Sequence, residues 1–304
     1  MSLTPEQIAE RREGLGASDA SAAVGLSPWK TPLRLYLEKL GEAGEEEHED
    51  ALHLQMGHAL EPVALEQFCR RTRLSIGDRQ KKIVDPDWSQ RWVTVDAISS
   101  DGGYVEAKST GFANPAEWGD ELEDGAIPMH YLIQAQHGLA CSGLAHAWIP
   151  LIISNRQFRL YRVTRDAELI ALLTEKEREF WARVEARDPP PPANLDDVKL
   201  RWPSHQEKQI DATAEIAHLL VEHRKVKEQI KAAESQKEEL ELQIKSFMGE
   251  CAEIVDVSGT KMCTWKQAKP TQVFNVDLFA TDHPDLYRKY LTLRAGSRRF
   301  LNKL

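Results

Sequence analysis

The stretch Trp92–Ser109, W-V-T-V-D-A-I-S-S-D-G-G-Y-V-E-A-K-S, constrains the chain more than any other. Two β-rich runs flank Asp101-Gly102-Gly103, the pattern of a tight hairpin. Side chains alternate along a strand, so Tyr104, Glu106 and Lys108 share one face and Val105 and Ala107 the other. Asp96 interrupts an otherwise apolar first run. Three charged groups thus gather among residues that favour burial, which is costly unless the charges are paired or bound to a metal. Two carboxylates beside an ammonium suit a divalent cation held by oxygens, with the lysine placed to orient a water. A surface hairpin with a cross-strand ion pair would use the same residues, and the hairpin alone does not separate the two readings.

The bulk numbers bound the class. At 304 residues, one large domain with an appendage is expected. Apolar residues at 41% and charged residues at 29% describe a water-soluble globular chain rather than a fibrous or membrane one. No apolar run approaches the roughly 20 residues of a membrane span, and the first residues lack the pattern of a signal peptide. The expectation is a cytoplasmic protein with no membrane partner. Cys69, Cys141, Cys251 and Cys263 are too widely spaced for a zinc knuckle or an iron–sulfur cluster and read as free thiols. A net charge of −9 argues at first against a nucleic-acid partner. Its distribution qualifies this, because much of the acidity lies at 42–50, whereas after Asp285 the chain carries six basic residues and no acidic one.

In chain order, Thr4 to Arg12 reads as a short capped helix. Gly14, Gly16, Ala17 and Ser18 open a second one, whose N–H groups, with a serine and a nearby arginine, could hold a phosphate or could simply be capped. Leu33 to Leu40 is amphipathic. The acidic run at 42–50 reads as a loop. Met56 to Phe68 resumes helical periodicity, with Glu61 at the edge of its apolar face and Pro62 placed in a first turn. A strand at Ile83-Val84 and the hairpin follow, then a polar segment from Thr110 to Pro128 and a helix from Tyr131 to Ser142. An antiparallel pair (145–154, 158–163) turns around Asn155-Arg156, and an amphipathic helix spans 166–184. Residues 1–188 form the expected main domain and 189–203 a proline-rich linker. The extension 204–304 holds a long helix with a heptad seam interrupted at His223 and Lys237, a small β-hairpin, a short helix and a basic end. The seam suits either packing within the extension or a coiled coil for self-assembly.

Taken together, R-R-E-G-L-G-A-S-D at 11–19, M-G-H-A-L-E-P at 56–62, T-V-D-A-I at 94–98, V-E-A-K-S at 105–109 and Y-L-I-Q-A-Q-H-G-L-A at 131–140 resemble, in order, the motifs of the phage-type YqaJ recombinase nucleases. These are relatives of lambda exonuclease in the PD-(D/E)xK superfamily, and the resemblance covers residues 10 to 185. It implies an α/β fold: a mixed central sheet flanked by helices, here carrying the long helix and hairpin as an extension.

The resemblance also implies a site. Asp96, Glu106 and the Ala107 backbone carbonyl would be metal ligands, with Glu61 completing the set. Lys108 would orient the attacking water and stabilise developing charge, supported by Gln134. Arg11 and Ser18 would bind the 5′ phosphate of the recessed strand, a role Arg12 could equally take. The cofactor would be one or two Mg2+ ions, with Mn2+ as a substitute. The implied function is 5′→3′ digestion of one strand of linear double-stranded DNA, leaving a 3′ overhang for a single-strand annealing protein. The enzyme would be a homo-oligomer, a ring, trimer or tetramer. A structure- or sequence-selective endonuclease on the same core, and a non-catalytic DNA-binding coiled-coil scaffold, are the alternatives.

Overall fold

A computed structural model describes residues 5–42, 52–111, 117–154, 156–293 and 296–304. Most of the acidic run at 42–50, the middle of the polar segment after Thr110, Asn155 of the expected turn and Arg294 of the basic end lie outside the described residues. The chain forms two compact units, Met1–Arg201 and Trp202–Leu304.

The first unit begins with α1 (Pro5–Arg12), β1 (Leu15–Gly16), a 3-10 turn (Ala17–Asp19), α2 (Ala20–Ala23), α3 (Pro32–Leu40) and α4 (Leu52–Thr72). Next come β2 (Ile76–Gly77), β3 (Lys81–Asp85), β4 (Trp88–Val95), β5 (Ala97–Ser99), β6 (Tyr104–Val105) and β7 (Lys108–Thr110). It closes with α5 (Met129–Ser142), β8 (His146–Ile153), β9 (Gln157–Thr164), α6 (Ala167–Ala186) and α7 (Leu195–Arg201). The expected helix after Gly16 is only the 3-10 turn and the four-residue α2, whereas α4 is longer than its apolar pattern suggested. Pro62 therefore sits well inside α4 rather than in its first turn. Without an N–H it cannot close the helical bond to the carbonyl of His58.

Two sheets share the chain. In the smaller, β4 pairs with β1 in parallel and with β3 antiparallel. In the larger, β5 joins β2 to β6, and β8 pairs with β6 and β7 in parallel and with β9 antiparallel. β6 and β7 keep one register along β8, Val105 opposite Trp148 and Lys108 opposite Leu151, so they are two pieces of one interrupted strand. The first run of the hairpin is likewise split: β4 lies in one sheet and β5 in the other, and Asp96 is the residue between them.

Alternation along these strands makes two cores. Val95, Tyr104, Ile149, Leu151, Tyr161 and Val163 pack with Ala135 and Leu139 of α5 on one face. Ala97, Val105 and Leu160 pack with Leu65 and Phe68 of α4 on the other. The larger sheet is therefore sandwiched between α5 and α4, which puts both helices beside the point where the strands break. A third core joins Leu33 and Tyr36 of α3 to Trp88 and to Phe180 and Trp181 of α6.

A buried ionic network ties β4 to α5 and α6. Arg91 pairs with Asp85 and with Glu177, 3.2 Å away, and Glu177 lies 2.6 Å from His137 Nδ1. Burial alone would discharge His137, but the Glu177 carboxylate overcomes it and holds the imidazole protonated, well above its ordinary range. After Pro189–Pro192 the chain forms α7, and its buried Asp197 accepts hydrogen bonds from Thr31 Oγ1 and Ala193 N.

The second unit is built on α8 (Ala214–Met248), capped by Thr213, whose hydroxyl accepts from Ile216 N. Its 35 residues run about 52 Å. β10 (Glu253–Val255) and β11 (Lys261–Thr264) form the expected antiparallel hairpin, followed by α9 (Val276–Asp282) and α10 (Pro284–Tyr290). Of the heptad seam, Ile216, Leu219, Val226, Ile230, Leu240, Ile244 and Phe247 are all exposed. At its polar interruption the ring of His223 meets Phe300 edge-on, and Asn302 Nδ2 donates to the Leu220 carbonyl.

Candidate active site

The hairpin tip shows why the sequence folds as it does here. Asp101 Oδ1 accepts from Gly103 N, and Gly102 takes the left-handed backbone a glycine permits, at φ +85°. Ser99, Trp148 and His146 also donate to Asp101, and together these bonds hold its carboxyl down at about 2 despite partial burial.

At the other end of the hairpin lie the two strand breaks. Ala97 pairs with Val105, so Asp96, directly before the first residue of β5, and Glu106, directly after the last of β6, leave the ladder at the same level. Glu106 N still donates to the Trp148 carbonyl, but Ala107 N turns from the sheet and donates to Asp96 Oδ2 at 2.7 Å. The break has a sequence cause on the neighbouring strand. By register Ile149 and Pro150 stand opposite Glu106 and Ala107, and Pro150 has no N–H to give. Peptide groups that a continuous strand would spend on its ladder are thereby available to the site.

Lys108 Nζ reaches Glu106 Oε1 at 2.9 Å and Gln134 Oε1 at 3.0 Å, and Gln134 Nε2 returns a hydrogen bond to Glu106 Oε1 at 2.8 Å. Gln134 is supplied by α5, which is held on the strand by the Tyr104 hydroxyl bonding the Ala135 carbonyl. Lys108 also lies 5.0 Å from the centre of the Tyr131 ring, on the face that attracts cations. Burial works against its charge, yet the Glu106 carboxylate raises its pKa, so Lys108 remains an ammonium.

Glu61 comes from the opposite face. It precedes Leu65 by one turn on the side of α4 that packs on the sheet, and its Oε1 accepts from Gln80 Nε2 at 2.8 Å. The same nitrogen reaches Asp96 Oδ1 at 3.3 Å. Gln80, on the connection between β2 and β3, lies outside all five sequence motifs. A polar residue in a short loop carries no signal of its own, and only the fold brings it here.

The structure thus unites Glu61, Asp96, Glu106, Ala107, Lys108 and Gln134. Burial, followed by the charges of Glu106 and Glu61, pushes the Asp96 carboxyl up to about 8. Like charges crowded this way are the signature of oxygens arranged for a cation, and the donor set is the hard one magnesium favours. Among the described residues, no group of three His, Cys, Asp or Glu is drawn tightly enough together to hold a metal as it stands. Each carboxylate is committed to a donor instead: Glu106 to Lys108 and Gln134, Glu61 to Gln80, Asp96 to Ala107 and Gln80.

A second cluster contains Arg11 and Ser18. Arg11 Nη2 donates to Ser18 Oγ at 3.1 Å, and both side chains are open to solvent. Beneath them buried Asp19 accepts from Lys39 Nζ at 2.6 Å and lies 3.9 Å from Arg11. Burial would raise the Asp19 pKa, but Lys39 and Arg11 prevail and lower it. Arg12 points elsewhere, with its guanidinium packed over Gly41. The pairing with Ser18 therefore falls to Arg11.

A mixed sheet sandwiched by helices, with an Asp…Glu-x-Lys set at its interrupted strands, defines a protein with the core of a PD-(D/E)xK nuclease. Residues 8–145 match the family described as YqaJ-like viral recombinase domain. The uncharacterized protein YqaJ of Bacillus subtilis (strain 168) is 31% identical over 293 residues, which is 93% of this chain and 89% of that one. The chain belongs to the YqaJ-like viral recombinase family.

Among solved structures, an alkaline exonuclease from Laribacter hongkongensis is similar at 22% identity and a TM-score of 0.47, over 61% of this chain and 94% of that one. A phage-related exonuclease from Haemophilus somnus 129PT is similar at 12% identity and a TM-score of 0.43, over 57% and 96%. Among the described residues no helix is long and apolar enough to cross a membrane.

Proposed function

We propose that this chain is a divalent-cation-dependent exonuclease that digests one strand of linear double-stranded DNA from its 5′ end. The 3′ single strand left behind would pass to a single-strand annealing protein in the cytoplasm of a bacterium or a phage-infected host. The observation that carries the reading is the set Asp96, Glu106 and Lys108 at two coincident strand breaks, with Gln134 closing it from above. Membership of a viral recombinase family supports it.

The chain's own residues divide the work of phosphodiester hydrolysis. Asp96, Glu106 and the Ala107 carbonyl would hold magnesium, or manganese in its place, with Glu61 beside them for one ion or a second. Such a cation would offset negative charge on the phosphate and favour ionisation of a nearby water. Lys108, still charged though half-buried, orients the attacking water and stabilises charge developing on the phosphate. Gln134 fixes the lysine and Glu106 in one geometry. Arg11 and Ser18 present a cation and a hydroxyl to a terminal 5′ phosphate, the fork of the guanidinium matching its oxygens. The exposed seam of α8 favours a self-associating enzyme, a closed ring being one way to keep DNA engaged.

The test is digestion of linear duplex labelled separately at each 5′ and 3′ end, beside closed circular plasmid, with magnesium and with chelator. Stepwise loss of the 5′ label from linear DNA, only with metal, is expected. Cutting of the circle would replace the exonuclease with an endonuclease on the same core. Absence of any metal-dependent cleavage would leave a DNA-binding scaffold.

A further inference from the structure

Gln80 holds a position that its exposure does not explain. Its backbone is left-handed at φ +50°, and Asp78, two residues before, is left-handed at +44°. Side chains rarely adopt this conformation, and where they do the surrounding structure enforces it. The enforcing contacts go to two neighbours, Asp96 and Glu61. Gln80 N donates to the Asp96 carbonyl at 3.3 Å, while Gln80 Nε2 donates to Asp96 Oδ1 at 3.3 Å and to Glu61 Oε1 at 2.8 Å. One neutral amide nitrogen thus stands between two carboxylates delivered by different elements, Glu61 by α4 and Asp96 by the junction of β4 and β5. Among the described residues it is the one hydrogen-bond partner of the Glu61 carboxylate, and Asp96 Oδ2 is engaged separately by Ala107 N.

We propose that Gln80 is the positioning residue of a cation site formed by Glu61 and Asp96: it gathers the two carboxylates before the ion arrives and gives up its place when the ion binds. When both are ionised, two carboxylates delivered by separate elements repel and would splay apart. A donor between them offsets that repulsion, and glutamine is suited to the exchange. A half-turn of its amide presents an acceptor where a donor stood, so the side chain need not leave the site. A lysine there would compete with the ion as a fixed charge, and an alanine would let the carboxylates part.

This inference rests on the nuclease reading, and its test separates the two. The full chain, freed of metal, is titrated with manganese by calorimetry and by electron paramagnetic resonance. The wild type is expected to bind two ions per chain. Gln80→Ala should weaken the looser ion by about ten- to a hundredfold, the usual effect of removing a group that orients metal ligands, and leave the tighter ion and the far-ultraviolet circular dichroism unchanged. Gln80→Glu should keep both ions, since an acceptor remains, yet melt earlier than wild type without metal because a third carboxylate joins the pair. Gln80→Ala titrating like wild type, or losing both ions while folded, overturns the proposal. A wild type that binds a single ion, with cleavage intact, overturns it and spares the nuclease reading. A wild type that binds none overturns both.

Discussion

Pro150 of β8 stands opposite Ala107, where the strand made of β6 and β7 is interrupted. Most prolines in sheets sit at edges, because a central strand needs its N–H groups. Here β8 has partners on both sides, and the missing donor coincides with the peptide that turns to Asp96. The proline reads as a device that keeps the ladder open at the site. Pro150→Val, which restores the N–H and suits a strand, should fold and melt near the wild-type temperature, yet bind manganese about tenfold more weakly as the ladder competes for the Glu106–Ala107 peptides. Calorimetric titration checks this, and unchanged affinity would count against the role assigned to the break.

Asp96 sets a pH dependence whose sign can be worked out. Its carboxyl lies at about 8 in the folded, metal-free chain, above its ordinary value. Between those two points the folded chain holds a proton that the unfolded chain has released, so stability falls as pH rises and levels off past about 8. In chelator the melting temperature should drop along that range more steeply for wild type than for Asp96→Asn, which has no such proton. Magnesium should shrink the difference by taking the proton's place, with affinity rising toward pH 8. Parallel slopes for the two proteins would show that Asp96 is an ordinary carboxylate.

Lys108 donates to both Glu106 and Gln134 and remains charged inside the unit. Lys108→Ala should lower kcat about a hundred- to a thousandfold at saturating magnesium, the scale of losing one preorganised electrostatic donor. Manganese binding should survive, because the oxygens remain. Single-turnover cleavage alongside circular dichroism checks it. Full activity would remove Lys108 from the mechanism.

Arg11 and Ser18 are expected to recognise the 5′ phosphate. Arg11→Ala should slow digestion of 5′-phosphorylated ends by about tenfold and leave 5′-hydroxyl ends nearly untouched, as loss of a charge-assisted contact predicts. Arg12→Ala should not discriminate between them, since its guanidinium packs over Gly41. Equal loss on both kinds of end by Arg11→Ala would refute the pocket.

By itself, the sequence determined the local pieces. Alternation marked the strands, 3.6-residue periodicity marked α3, α4, α6 and α8, and Asp-Gly-Gly marked the turn, because each depends on neighbours along the chain. Spacing within Glu106–Lys108 and the order of motifs were legible for the same reason. Only the tertiary structure decided that Asp96 is a hinge between two sheets, that Pro62 lies deep in a helix, that α4 aims Glu61 across the sheet, and that Gln80 and Pro150 belong to the site. Those facts come from packing between segments tens of residues apart. Loop residues such as Gln80 leave no periodicity, and a proline's missing donor acquires meaning only against the strand beside it.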